Sequence, residues 1–380
     1  MATRPAEIDF DIIPTPTFLI NERRVVANLE VLSRVSKEAG VTILAALKAF
    51  THPWTNNLIA QYLSGYTASS EQEARFARAA GGDLHIYAPA IKEKELENLI
   101  EGASHVTFNS LNQLSLLGDQ ARSKSVSVGI RINPEYSEVE TAMYNPTDKN
   151  NRLGVLLSSL DSLPSGVDGI HIHALCENDS FVLERLISHL EENAAHLLKA
   201  AKWINLGGGH LISKADYDVE HLIRVLAKLK ADYDLEVILE PGAAVVYEAG
   251  YLVSEVVDVI EREKVDMAML DVSFSAHMPD CLEMPYKPFV VGAINPNDFF
   301  PTYDLGGNTC LAGDQLGQYS FIKELKIGDR VIFFDMLHYT MVKTTRFNGV
   351  QHPSIAVWKS DDTFEMLADL SHQVYPPNLD

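Results

Sequence analysis

The stretch Val41-Thr42-Ile43-Leu44-Ala45-Ala46-Leu47-Lys48-Ala49-Phe50 decides how this chain is read. A short run of apolar or small residues precedes a lysine, and two more apolar residues follow it. The run is rich in branched side chains, the pattern of a buried strand. Lysine is rarely buried without a partner. A desolvated lysine has a lowered pKa, so more of it is the free amine that forms a Schiff base. On this stretch alone the plainer reading, a strand-end lysine that simply reaches water, is the favoured one, and only the rest of the chain can overturn it.

On its N-terminal side, Pro14-Thr15-Pro16 breaks an acidic leader and 17–20 is a strand candidate. Asn21 can cap a helix whose apolar face is Val25, Val26, Leu29 and Leu32 and whose stop is Gly40. On its C-terminal side the strand pattern recurs near 66–69, 84–87, 105–108, 127–132, 169–173, 203–206 and 237–239. Helical stretches fall between most of these, at 71–80, 93–101, 111–117, 181–201 and 219–230. Eight strands alternating with helices predict a (β/α)8 barrel of the TIM type over 21–243, with a doubly wound open sheet as the alternative. The one long polar connection, 133–151, is a candidate lid. From about Ala244 the texture changes. Strand candidates at 251–260, 266–270, 289–293 and 331–334 are separated by glycine-rich turns, which predicts an all-β domain over 244–380, joined by the N-terminal strand at 14–20.

Composition narrows the function. The 380 residues suit two domains, and 46% hydrophobic content is ordinary for a globular protein. No apolar run is long enough to span a membrane. The N-terminus lacks a signal-peptide core. Three cysteines, Cys176, Cys281 and Cys310, lie far apart, which predicts a reducing, cytoplasmic setting and neither a disulfide framework nor a cysteine zinc site. A net charge of -21 disfavours nucleic acid and suits cationic small molecules, or simply solubility.

In a (β/α)8 barrel the chemistry sits at the carboxyl ends of the strands. Lys48 ends the first, Arg131 lies near the end of the fifth, and His173 ends the sixth. Gly207-Gly208-Gly209 follows the seventh, and Glu240 ends the eighth. Singly, each has a plain structural reading: a flexible turn, a capping acid, a core histidine. Together they gain weight, because five unusual features share one relative place. The glycines let backbone N–H groups approach an anion closely. His171 and His173 are read as facing opposite sides of their strand, which leaves them no shared metal site. A lysine, an anion cradle and a carboxylate on one face are what pyridoxal 5′-phosphate requires: an amine for its aldehyde, donors for its phosphate and a partner for its ring nitrogen.

Ala46-Leu47-Lys48, His173, Gly207-Gly208-Gly209 and Glu240-Pro241-Gly242 resemble the alanine-racemase-like, fold-type III pyridoxal-phosphate enzymes. Thr309-Cys310-Leu311-Ala312-Gly313-Asp314 and Tyr339-Thr340 resemble their decarboxylase branch. Leu175-Cys176-Glu177-Asn178, 271–286, and Tyr339 to Lys343 with Phe347-Asn348-Gly349 resemble the carboxynorspermidine (carboxyspermidine) decarboxylases within it. The resemblance runs from Pro16 to about Gly349. It implies that Lys48 takes the cofactor aldehyde, that His173 stacks on the ring, that Gly207–Gly209 and Tyr339 hold the phosphate, that Glu240 meets the ring nitrogen and that Arg131 supports the cofactor. It implies a homodimer with shared active sites, in which Cys310, a catalytic residue beside Lys48, and Asp314 come from the partner. His277, Asp280, Asp314 and Glu240 would surround a small cationic polyamine amino acid. The implied reaction is decarboxylation in polyamine (spermidine) biosynthesis.

One departure stands out. The residue after Glu-Pro-Gly, a glutamate in the carboxynorspermidine group and an arginine in the ornithine group, is Ala243 here. That leaves the exact substrate open and the cofactor site intact. A diaminopimelate or ornithine decarboxylase is the enzyme alternative, although a diaminopimelate pocket calls for arginines that 271–286 and 310–314 scarcely offer. A racemase needs bases on both ring faces, a non-catalytic pyridoxal-phosphate-binding protein resembles a lone barrel, and a metal hydrolase would depend on a chelatable ion.

Overall fold

The computed structural model describes residues 7–139 and 145–371. It divides into two compact units: Ala27–Val245, and the chain before and after it, up to Val26 and from Val246 on. The first strand, β1 (Thr17–Asn21), belongs to the split unit, and helix α1 (Glu22–Ala39) runs from one unit into the other.

In the continuous unit, eight parallel strands close on themselves. They are β2 (Thr42–Ala46), β3 (Gly65–Ala68), β4 (Asp83–Tyr87), β5 (His105–Phe108), β6 (Ser127–Asn133), then, after the two-residue β7 (Val155–Leu156), β8 (Gly169–His171), β9 (Trp203–Asn205) and β10 (Glu236–Leu239). The ring closes where β10 pairs with β2 (Leu239 beside Ile43), and β5 and β6 pair in between (Val106 beside Val128). This is the TIM-type barrel. Helices α2 (Asn56–Tyr62), α3 (Glu71–Ala80), α4 (Glu93–Ile100), α5 (Leu111–Ser123), α6 (Ser180–Ala200) and α7 (Val219–Tyr233) lie between the strands.

The helix starts follow from short polar signals. At α3, Ser70 Oγ accepts the Glu73 N–H (3.2 Å) and Glu73 Oε2 accepts the Ser69 N–H (2.6 Å), a reciprocal capping box. At α5 the same device uses Ser110 and Gln113, with Gln113 Oε1 taking the Asn109 N–H at 3.1 Å. These caps pin the residues that directly follow β3 and β5. The barrel floor is filled by Trp203, and only glycine fits beside it: a Cβ on Gly129 or Gly169 would lie 2.2 or 2.0 Å from its ring.

The split unit is a mixed sheet. β1 pairs antiparallel with β11 (Gly250–Ile260) and parallel with β17 (Ser354–Trp358). The sheet continues through β12 (Asp266–Leu270), β14 (Thr302–Gly306), β15 (Gln315–Phe321) and the two-residue β13 (Ala293–Ile294). β16 (Arg330–Phe334) joins β11, and β18 (Phe364–Ala368) closes the far edge. Its core gathers Phe18, Leu252, Phe274, Leu305 and Phe333. Four short helices occur: α8 (Ala243–Val246), which falls at the boundary between the units, and α9 (Phe274–His277), α10 (Pro279–Glu283) and α11 (Thr340–Lys343).

Several expectations need correction. The strand expected at 289–293 does not form. Phe289 is 66% exposed and Val290 makes one isolated bridge to Phe333, because Pro288 removes a donor and Gly292, at φ +77°, turns the chain. β14, β15, β17 and β18 were not anticipated. The expected lid at 133–151 lies partly outside the described residues. Of its described part, Thr147 Oγ1 donates to Tyr136 O (2.9 Å) and Asn133 Nδ2 to Asp148 O (3.1 Å).

Candidate active site

The carboxyl ends of the barrel strands surround a cleft lined by Lys48, Thr67, Ser69, Tyr87, Arg131, His171, His173, Gly208 and Glu240. Each residue arrives by the same route, at or just beyond the end of an inward-facing strand. Lys48 stands two residues past β2 and is exposed to solvent. The protein packed round it still makes the ammonium costly. Burial first, then the charge of Arg131, pull its pKa below the usual lysine range, while Glu240 and Glu73 oppose the shift.

Glu240, 9% exposed, accepts a hydrogen bond from Asn205 Nδ2 at 2.7 Å. Burial raises its pKa. Hydrogen bonds from Asn205 and Thr67 and the charges of Lys48 and Arg131 pull the other way. Two histidines flank it, His85 Nδ1 at 3.9 Å from Oε1 and His171 Nε2 at 3.8 Å from Oε2. Both are held neutral by burial, so these are contacts and not ion pairs. His171, 3% exposed, has no hydrogen-bond partner at either ring nitrogen among the described residues. The expectation that His171 and His173 face opposite sides does not hold. Both line the cleft, as residues two apart in an extended chain do. The strand also stops at His171, so His173 sits in the connection beyond it.

His173 Nδ1 accepts the Gly208 N–H at 3.1 Å, which leaves the ring proton of the neutral imidazole on Nε2. Arg131, 4% exposed, lies 4.7 Å above the Tyr87 ring and donates to His173 O (3.4 Å). Tyr87 is fixed in turn by Asn109, whose Oδ1 takes its hydroxyl proton at 2.9 Å. The α5 cap therefore reaches the cleft through Asn109, Tyr87 and Arg131.

The three glycines are demanded by close approach. A Cβ on Gly207 would meet His173 Nδ1 at 2.4 Å, one on Gly208 the Glu240 carbonyl at 2.4 Å, and one on Gly209 the Leu175 carbonyl at 1.9 Å. Their use differs from expectation in one respect. The N–H groups of Gly207 and Gly208 are already taken by Asn205 Oδ1 (2.8 Å) and His173 Nδ1, so these two glycines contribute closeness and not free donors.

The remaining expected residues lie in the split unit. Asp280, 3% exposed on α10, accepts from Tyr286 OH (2.6 Å) and Thr340 Oγ1 (2.8 Å) at Oδ2, and its Oδ1 has no partner among the described residues. His277 is fully buried and accepts the Ser273 N–H (3.1 Å). Burial brings its pKa down to about 4. Asp314 ties its own loop to α9, accepting from Ser275 N–H (2.9 Å) at Oδ1 and from Thr309 N–H (3.1 Å) and Oγ1 (2.5 Å) at Oδ2. Cys310 is exposed, and its N–H donates to Asn348 Oδ1 (2.8 Å). Tyr339 has φ 60° and ψ -48°, a left-handed backbone for a bulky residue, which marks a place where surrounding structure holds strain. Ala243 is half-buried and opens α8.

Thr67, Ser69, Tyr87, His85 and Asn205 were missed by the sequence reading. The strand period of two would have flagged His85 and Tyr87 as one inward face. Asn205, two residues before the glycines, carries no comparable signal.

The donor set fits pyridoxal phosphate. It offers an amine of lowered pKa, a glycine turn too tight for any side chain, a carboxylate at depth and a flat neutral imidazole with uncommitted nitrogens beside it. The fold and cleft define a barrel enzyme of the pyridoxal-phosphate class. The family description "Pyridoxal-dependent decarboxylase, C-terminal sheet domain" matches residues 31–336, and the chain belongs to that family. A carboxyaminopropylagmatine decarboxylase of Synechocystis is 43% identical over 97% of this chain and 96% of its own length. A carboxynorspermidine/carboxyspermidine decarboxylase of Campylobacter jejuni is 37% identical over 96% and 98%. The crystal structure of the C. jejuni carboxynorspermidine decarboxylase complexed with norspermidine superposes with TM-score 0.87 at 36% identity, covering 94% of this chain and 97% of that one. A Helicobacter pylori diaminopimelate decarboxylase shares the fold at 18% identity, TM-score 0.79. The protein is thus a pyridoxal-phosphate-dependent carboxy-lyase with a TIM barrel and a C-terminal sheet domain. Among the described residues no helix is long and apolar enough to cross a membrane.

Proposed function

We propose that the enzyme decarboxylates carboxynorspermidine and carboxyspermidine to norspermidine and spermidine, in the cytoplasm, as a homodimer with shared active sites. One observation carries the substrate reading. Asp280 is a buried carboxylate with one oxygen doubly hydrogen-bonded and the other without a partner among the described residues. A buried acceptor without a partner is costly, and a primary ammonium is the group that would satisfy it. The full-length likeness to decarboxylases of carboxylated polyamines supports the same conclusion.

Pyridoxal phosphate, when bound, supplies an electron sink for the pair left behind by the departing carboxylate. The chain's own residues do the rest. Lys48, whose ammonium form its surroundings disfavour, would hold the cofactor aldehyde and give it up to the substrate amine. Glu240 would hold a proton at the ring nitrogen, His173 would pack on the ring face, and the Gly207–Gly209 turn with Tyr339 would seat the phosphate. Arg131 would fix His173 from behind through its carbonyl. Lys48 or the partner subunit's Cys310 would deliver the proton that replaces the carboxylate. His277 and Asp280 would receive the cationic arm. Asp314 would shape the loop that carries Cys310.

A second substrate, carboxyaminopropylagmatine, is favoured by one observation: Ala243 stands where carboxynorspermidine decarboxylases have a glutamate, and the 43% relative carries that name. The test is CO2 release by the cofactor-loaded enzyme on carboxynorspermidine, carboxyspermidine, carboxyaminopropylagmatine, diaminopimelate and ornithine in parallel, with Lys48→Ala as the control. Turnover confined to the first two is the expected result. Preference for the third assigns the second substrate, and turnover of diaminopimelate or ornithine alone overturns both readings.

A further inference from the structure

One buried amide touches both halves of the cleft. Asn205, 2% exposed at the end of β9, accepts the Gly207 N–H at Oδ1 (2.8 Å) and donates from Nδ2 to Glu240 Oε1 (2.7 Å). The chemistry of the partners fixes the amide's orientation. A backbone N–H can only donate, so the amide oxygen faces Gly207 and the NH2 faces Glu240. Oε1 is then an acceptor, and a proton carried by Glu240 is confined to Oε2. The groups facing Glu240 from the other strands are Lys48 beyond β2, Thr67 of β3, His85 of β4, Arg131 of β6 and His171 of β8. His85 and His171 both stand more than 3.5 Å away, so the hydrogen bonds from Asn205 and Thr67 turn the carboxylate, and Asn205 is the one that holds Oε1 at 2.7 Å.

We propose that Asn205 is a positioning residue for the decarboxylation: it reserves Glu240 Oε2 for the cofactor ring and, through Gly207, sets the glycine turn in register with that carboxylate. This rests on the reading above, in which Glu240 serves the ring nitrogen. A single amide then links the site's ring-binding and phosphate-binding parts, and the two respond together when it is changed.

Asn205→Asp separates this role from mere turn-holding. The aspartate keeps an acceptor for the Gly207 N–H but faces Glu240 with a second carboxylate, and two carboxylates at that distance share a proton. Apoenzyme is titrated with pyridoxal phosphate and followed by visible absorbance. The pH profile of the bound band, kcat and KM are measured alongside, with circular dichroism to show that each variant is folded. Asn205→Asp is expected to weaken cofactor binding on the order of ten-fold or more, to move the band's pH profile upward, and to lower kcat more than it raises KM. In a Glu240→Gln background the same change should cost little affinity, because the glutamine amide can donate to the new carboxylate. That double variant also carries the test if Asn205→Asp alone does not fold. Wild-type affinity and an unmoved pH profile in folded Asn205→Asp would overturn the proposal and leave Asn205 a turn residue. A wild-type protein that forms no visible band, or a Lys48→Ala protein that keeps it, would instead remove the reading on which the proposal stands.

Discussion

Replacing Asp280 by asparagine tests the substrate pocket most directly. The carboxylate is 3% exposed, its Oδ2 takes hydrogen bonds from Tyr286 OH at 2.6 Å and Thr340 Oγ1 at 2.8 Å, and its Oδ1 is bare. Asparagine is nearly isosteric. Its carbonyl oxygen can keep both existing bonds, which places the NH2 where the bare oxygen stood. An incoming ammonium then meets a donor in place of a negative acceptor. A hydrogen bond to a charged group contributes roughly 1.5–3 kcal/mol, so kcat/KM for the polyamine substrate should fall roughly 10- to 150-fold. The loss should lie mainly in KM, because Asp280 is assigned to the distal arm and not to the reacting carbon. Fold stability should hold or rise, since an uncompensated buried charge is removed while the local bonds persist. The assay is steady-state CO2 release with carboxynorspermidine and carboxyspermidine, paired with urea unfolding and the visible cofactor band. An Asp280→Asn enzyme with intact band and kcat/KM within two-fold of wild type (~0.4 kcal/mol) would refute the assignment.

Asp314→Asn should behave in the opposite way. Its oxygens accept from Ser275 N–H, Thr309 N–H and Thr309 Oγ1, so an amide sets a donor against a backbone donor and should cost about 1–3 kcal/mol of stability in urea unfolding; an unchanged midpoint would contradict the loop-clamp role. Gly209→Ala combines φ +90° with a Cβ 1.9 Å from the Leu175 carbonyl, a backbone atom that cannot move aside, and should abolish tight pyridoxal-phosphate binding as read by absorbance titration. Stability should also decline on acidification from just below pH 6.5. His210 and His277, both brought down to about 4 by burial, are neutral in the fold, whereas the unfolded chain takes up their protons near 6.5. Folded pKa values below unfolded ones mean stability that is full above pH 6.5 and lost as the pH falls, about 1.4 kcal/mol per pH unit for each such group. Urea midpoints that stay flat between pH 7 and 5 would show that these histidines are not buried neutral.

Much of the fold was legible because its signals are local. Each barrel strand is a short apolar run, each helix has a polar start and an amphipathic face, and the alternation of the two restricts the topology to very few choices. Lys48, Arg131, Gly207–Gly209 and Glu240 could be placed at one rim because parallel strands all end on the same side. The sheet unit was less legible. Its strands pair across long separations, β1 with β11 and β17 above all, and nothing within 354–358 announces a partner more than 300 residues away in sequence.

The class of fold, the catalytic lysine candidate and the cofactor could be read from the chain alone, since these depend on residue type and on position along a strand. How the groups are used emerges from the folded arrangement. It put His171 beside His173 in the cleft, engaged Gly207 and Gly208 with Asn205 and His173, committed Asp314 to donors of Ser275 and Thr309 and left one oxygen of Asp280 without a partner among the described residues. Hydrogen-bond saturation belongs to the three-dimensional neighbourhood. Two aspartates that look alike in the chain differ because one is closed off by three donor groups from two residues of its unit and the other keeps an acceptor that no part of the described chain fills.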